Sequence, residues 1–181
     1  MGEINIQEGN HVGVLKSTKN FTDTIDIRLA CVEDGLENMG FRKFAAYVKS
    51  IHSKTKVAYV PTGNWRGYIK LMSEKGAGAL TEKDTHKVAQ FMAEGDIAAF
   101  SSMTQYSTTV QEIIANIRLI NPNTYIVWGG IHAIIHPEDA IKYADAVCTG
   151  EGEFAFETFL ELFKNKKDYT ITPSFWFRKD N

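Results

Sequence analysis

Runs with the period of a β-strand alternate with helical patterns along this 181-residue chain, which predicts an α/β domain built on a parallel sheet. Two further observations agree. Tyr125-Ile126-Val127-Trp128 is apolar at every position, as expected of a central parallel strand covered on both faces. Two apolar runs also stop at glycines just before helical patterns, in Val127-Trp128-Gly129-Gly130-Ile131-His132 and Cys148-Thr149-Gly150-Glu151-Gly152-Glu153. Strand, glycine turn and helix in that order usually place a ligand across the strand ends.

Residues 1–22 are polar without a strong period and read as an extension, with a short strand at Val12–Leu15. Ile25, Ile27, Leu29 and Cys31 alternate with Asp26, Arg28 and Ala30, the period of a first strand. Phe41, Phe44, Ala45, Val48 and Ile51 recur at helical spacing and predict a helix from about Met39 to His52. Lys56–Val60 is a second strand, stopped by Pro61-Thr62-Gly63. Trp65, Tyr68, Ile69 and Met72 would line one face of a short helix, and their aromatics read as core or interface. Thr81 and Asp84 have nearly the form of a capping box, opening a helix whose apolar face is Val88, Phe91 and Met92.

Asp96–Ser101 is the third strand. Val110, Ile113, Ile114, Ile117 and Ile120 then mark the clearest helix, which Asn121-Pro122-Asn123 ends because proline cannot continue it. Tyr125–Trp128 is the fourth strand. Pro137 suits the first turn of a short helix reaching about Tyr143. Ala146–Cys148 is the fifth strand, and Phe156, Phe159, Leu160 and Phe163 form the face of the last helix. Ser174–Phe177 is a final strand at an edge. Five strand–helix units predict a flavodoxin-like, doubly wound, mainly parallel sheet of order 2-1-3-4-5 with helices on both faces. The loops after strands one and three then flank the switch point where ligands bind.

Composition narrows the function. A net charge of −2 with scattered basic residues gives no basic face for nucleic acid. No apolar run approaches a membrane span of about 20 residues, and the N-terminus lacks a signal-peptide core. Cys31 and Cys148 form no Cys-x-x-Cys motif and read as buried small hydrophobes, so a reducing, cytoplasmic setting is expected. His132 and His136 stand four apart in a loop before Pro137 with no third ligand evident, so no metal site is expected there. His52 and His86 sit on helices and read as solvated.

The loops discriminate among ligands. A phosphoacceptor receiver needs an acidic residue ending strand three and a lysine after strand five, where this chain has Ser101-Ser102 and Thr149-Gly150-Glu151. The acidic loop Glu33-Asp34-Gly35-Leu36-Glu37 would repel a flavin phosphate, and the Gly-x-Gly-x-x-Gly dinucleotide fingerprint is absent after strand one. A large ligand, mostly uncharged where it meets strands three and four, fits better. Ser101, Ser102, Gly129 and Gly130 have little bulk and would leave a slot between those strand ends, with a serine hydroxyl to donate a hydrogen bond. Structural readings stand beside these: Gly129-Gly130 as a tight turn, Ser101 as a cap, Glu151 and Glu153 as complements to a helix N-terminus.

Three segments in order carry a family resemblance. They are Ser101-Ser102-Met103-Thr104, then Val127–His132 with Pro137-Glu138, then Ala144–Glu153 ending in Gly150-Glu151-Gly152-Glu153. Together, from about Thr24 to the C-terminus, they resemble the cobalamin-binding domain at the N-terminus of many radical S-adenosylmethionine proteins. The resemblance implies a cobalamin-binding domain over residues 23–166. Residues 167–181 would then be an edge strand leading toward a radical domain that this chain lacks. It implies a cofactor site at Asp34, Gly35, Leu36, Met39, Ser101, Ser102, Met103, Gly129, Gly130, Ile131, Gly150 and Glu151.

The resemblance also implies a role in methyl transfer. The iron–sulfur cluster and S-adenosylmethionine would belong to the partner domain, because no Cys-x-x-x-Cys-x-x-Cys motif is present here. The chain alone is expected to be non-catalytic. Many cobalamin domains carry Asp-x-His-x-x-Gly after strand one. Here the place reads Asp34-Gly35-Leu36-Glu37-Asn38-Met39-Gly40, one residue longer and without histidine, so Leu36 or Met39 would shield the lower face of cobalt. The alternative is a cofactor-free docking or small-molecule-sensing module on the same fold.

Overall fold

The computed structural model describes residues 24–33, 38–62 and 80–179. The strand expected at Val12–Leu15, the first-loop residues Asp34, Gly35, Leu36 and Glu37, and the helix expected around Trp65–Met72 lie outside the described residues.

Among the described residues six strands form one sheet: β1 (Ile27–Val32), β2 (Thr55–Val60), β3 (Ile97–Ser102), β4 (Tyr125–Gly129), β5 (Ala146–Cys148) and β6 (Phe175–Phe177), in the order β2-β1-β3-β4-β5-β6. The first five are parallel, and β6 pairs antiparallel with β5 at the edge. The predicted doubly wound order is therefore present, with the edge strand as a sixth member. The order reverses between β1 and β3, whose C-terminal residues Val32 and Ser102 lie side by side. The helices are α1 (Met39–Ile51), α2 (Glu82–Ala93), α3 (Ser107–Ile120), α4 (Ile131–Ile135), α5 (Pro137–Ala140) and α6 (Gly152–Lys164).

Strand parity sorts the core into two layers. On one face Ala30, Val32, Phe100, Ile126, Trp128 and Val147 pack against α2 and α3, through Met92, Val110, Ile113, Ile114 and Ile117. On the other, Ile27, Leu29, Cys31, Ile97, Ala99, Val127 and Ala146 pack against α1 and α6, through Phe41, Val48, Phe156, Phe159 and Leu160. Each fully buried Leu, Ile or Phe contributes roughly 1.5–3 kcal/mol of burial free energy, so both layers are needed to fix the sheet.

Local chemistry sets the helix starts. The Asn38 side chain accepts from the Phe41 N–H at 2.7 Å and opens α1. Thr81 and Asp84 form the full reciprocal capping box of α2, so aspartate does the work of the usual glutamate. The face of α2 shifts by a residue from the expected one: Thr85, Ala89, Met92 and Ala93 are buried, while Val88 and Phe91 are half-buried.

Helices cover both sides of β1, and Arg28 is only 3% exposed. It is held by Asp26 at 2.7 Å and Glu94 at 3.1 Å and lies 4.8 Å over the Phe91 ring, so its charge is paired rather than solvated. Three expectations need correction. His52, expected to be solvated, is instead buried at the C-cap of α1. His132 is helical, not in a loop. Gly130 adopts φ +86°, which lets the chain turn straight from β4 into α4 before Pro137 opens α5. The helix at Pro137 closes at Ala140, short of Tyr143. Among the described residues no helix is long and apolar enough to cross a membrane.

Candidate functional site

The strand ends of β3, β4 and β5 floor a cavity of about 540 Å³, walled by α1 and α6 and lying at the switch-point edge of the sheet. Its floor is made of small residues. Ala99, Ser101, Gly129 and Cys148 all point to the α1/α6 face, and Ser101 pairs in register with Gly129. The walls are aromatic: Phe41 and Phe44 from α1, Phe156 from α6, with Phe44 and Phe156 meeting edge to face at 5.3 Å. Ile131 and Ile134 of α4 close a third side. Volume is left here because these floor positions lack the side chains that would fill it.

The two adjacent glycines do different jobs. A Cβ on Gly129 would meet only Cys148 Cβ at 3.7 Å and the Phe100 carbonyl oxygen at 3.8 Å, ordinary contacts that leave it facing open cavity. A Cβ on Gly130 would fall 2.7 Å from Ser101 Oγ and 2.8 Å from the Ser102 nitrogen. Gly130 therefore lets the β4 turn sit directly on the end of β3. The expected slot between strands three and four is closed, because those strands are hydrogen-bonded neighbours. The space lies above the sheet, under α1 and α6.

The mouth is acidic. Among the described residues Glu33, Glu151 and Glu153 line it together with Lys43, whose Nζ lies 3.1 Å from Glu153 Oε1 and ties α1 to α6. Asn38 Nδ2 donates to Glu33 Oε1 at 2.6 Å, bringing the end of β1 to the start of α1. Gly150 is pressed against the turn before β6: a Cβ there would lie 2.9 Å from Ser174, and Thr149 N–H donates to the Ser174 carbonyl at 2.8 Å. Both cysteines are neutral thiols. Burial, reinforced by the Glu33 charge, pushes Cys31 up to about 12, and burial also raises Cys148, whose Sγ donates to the Gly150 carbonyl at 3.7 Å.

Of the residues singled out from sequence, Ser101, Gly129, Gly130, Ile131, Gly150 and Glu151 meet at this cavity. Ser102 does not: it is fully buried on the opposite face, where its Oγ accepts from Trp128 Nε1 at 3.0 Å. Met103 and Met39 are exposed beside the strand ends, at 43% and 73%, and do not line the cavity. Asp34, Gly35 and Leu36 lie outside the described residues. Sequence reasoning missed the walls, Phe44, Phe156, Lys43 and Glu153. Their helical spacing showed which side of each helix is apolar, but not that part of that side meets open space. Among the described residues no group of three or more His, Cys, Asp or Glu is arranged to hold a metal ion.

A doubly wound sheet with a cavity of this size at the switch-point edge places the chain in the flavodoxin-like class, whose ligands lie at that edge. The sequence profile of the B12 binding domain matches residues 69–160, and the chain belongs to that family. No curated protein sequence matches. Among solved structures, the radical S-adenosylmethionine methyltransferase TsrM from Kitasatospora setae is similar. With tryptophan substrate and the analogue aza-SAM bound, it aligns at a TM-score of 0.59 and 12% identity, over 84% of this chain and 28% of that one. Its structure with cobalamin and a 4Fe-4S cluster bound aligns at a TM-score of 0.58 and 11% identity, over 86% of this chain and 30% of that one. At such identities the likeness is one of fold, and this chain spans less than a third of the length of these proteins.

Proposed function

We propose that this chain holds cobalamin across the C-terminal edge of its sheet, with the nucleotide tail in the cavity under α1 and α6, and that it serves a radical S-adenosylmethionine methyltransferase. The observation that carries the reading is the cavity itself: small-residue floor, aromatic walls and a position at the switch point. About 540 Å³ suits a flat heterocyclic base with its sugar and is too small for the corrin macrocycle, which then rests outside over the strand ends. The B12 binding family match and the cobalamin-bound fold relative support this reading.

In it, Phe41, Phe44 and Phe156 pack on the base, Ser101 Oγ donates to it, and Gly129 leaves the room. The carboxylate of Glu151 accepts from amide groups of the corrin rim. Leu36 stands where related domains place a histidine, so that loop supplies no histidine to the lower face of cobalt. Cobalamin, when bound, supplies the methyl-carrying chemistry, and this chain binds, orients and shields it. The iron–sulfur cluster and S-adenosylmethionine belong to a partner domain.

Titration of the purified chain with hydroxocobalamin, followed by visible spectrum and co-elution on a desalting column, tests the reading. The wild type should retain the corrinoid. Gly129→Leu should fail to retain it while keeping its circular dichroism. A wild-type chain that elutes colourless sinks the proposal, and full retention by Gly129→Leu moves the site elsewhere.

A further inference from the structure

We propose that His132 is a pH-sensitive latch on the cavity wall, holding α4 against the sheet while its imidazole is neutral and releasing it when the ring takes a proton. Helix α4 has two occupied sides. Ile131 and Ile134 line the cavity, while His132 and Ala133 are buried on the opposite face of the sheet layer. Whatever moves His132 therefore moves the cavity wall. With only five residues, α4 is held by packing rather than by its own hydrogen bonds.

The surroundings of His132 are unusual for a core histidine. It is 2% exposed, and Nδ1 has no hydrogen-bond partner. Nε2 stands 3.5 Å from Asp139 Oδ2, too far for a good hydrogen bond. That carboxylate is already engaged: Oδ2 accepts from Gln111 Nε2 at 3.1 Å, and Oδ1 faces Lys142 Nζ at 3.4 Å. The imidazole lies 4.9 Å from the Trp128 ring and 5.5 Å from the His136 ring. On this face β3 and β5 present Ala98, Phe100, Ser102 and Val147, none of which titrates near neutrality.

The charges acting on His132 are thus Asp139, which favours its protonated form, and His136, which opposes it. Burial outweighs both and holds its proton affinity below the ordinary histidine value. The sign follows. With α4 packed, His132 resists protonation; with α4 released, it takes a proton at the ordinary value. The packed wall is fully favoured above that value and loses stability as pH falls through it.

The first arm of the test needs no ligand. In a Trp65→Phe/Trp176→Phe background, Trp128 fluorescence reports the adjacent ring between about pH 7.5 and about pH 5. A fluorescence transition is expected that His132→Gln removes. Asp139→Asn, at a half-exposed site, should enlarge it, because without that carboxylate the packed form resists the proton more and acid releases α4 more fully. This variant keeps the test decisive if His132→Gln fails to fold. One identical profile with and without Asp139→Asn, or no transition in the wild type, overturns the latch.

The second arm rests on the cavity being the cobalamin site. Hydroxocobalamin affinity should fall at the acid end in the wild type, by about tenfold, and stay flat in His132→Gln. Equal pH dependence in both overturns the coupling to the cavity. Absence of binding at every pH overturns the functional reading instead, and the fluorescence arm then decides the latch alone.

Discussion

The two faces of the sheet are made from the same strands and end differently. Toward α2 and α3, the ends of β3 and β4 carry Phe100 and Trp128, and the layer is filled to the edge. Toward α1 and α6, their neighbours are Ala99, Ser101, Val127 and Gly129, and the layer gives out into a cavity. Farther from the strand ends this second layer is as well packed as the first. Phe159 is fully buried among Tyr125, Phe156, Phe163, Tyr169 and Phe175, with ring centres 5.1–5.8 Å apart across the cluster. The difference shows how period-two parity lets one strand build a rigid layer with one set of side chains and a site with the other.

Breaking the packed part of the cavity-side layer should have the largest effect. Phe159→Ala is expected to cost about 3–5 kcal/mol in urea unfolding, since the rings around it cannot all collapse onto the void. On the filled face, Trp128→Phe removes the donor to Ser102 Oγ and leaves that buried hydroxyl unpaired, for about 1–3 kcal/mol by the same measurement. Gly130→Ala, at φ +86° and against the end of β3, should cost at least about 1–2 kcal/mol, whereas Gly129→Ala next to it should sit well below that. Equal losses at the two glycines would show that the cavity and the close-packed turn are not separate features. The smallest effect is expected far from the cavity: Thr81→Ala breaks the capping box of α2 for about 1 kcal/mol and should leave hydroxocobalamin retention untouched.

Much of the molecule was legible in the chain because local rules and global fold agree in it. The isoleucine spacing of α3, the Thr81/Asp84 box, the proline stop at Pro122 and the short apolar runs of β3, β4 and β5 each act within a few residues. The order of elements then implied the switch point, and with it the loops that hold Ser101, Gly129 and Gly150. Legibility failed wherever two elements distant in sequence meet. His52 looked solvated on its helix until the fold buried it. His132 looked like a loop residue until Trp128 and Asp139 enclosed it.

The glycines of the opening motif show the same division. From sequence, Gly129 and Gly130 were one feature, two small residues at a strand end. In three dimensions one faces open space and the other, already past the strand at φ +86°, turns the chain against Ser101 and Ser102 at the end of β3. The sequence by itself determined the elements seen among the described residues, their order and the edge of the sheet at which to look for a site. The tertiary structure decided that the space is under α1 and α6 rather than between strands, which serine borders it, and that a buried histidine stands behind its wall. Those facts depend on contacts between residues far apart in the chain, and no local pattern encodes them.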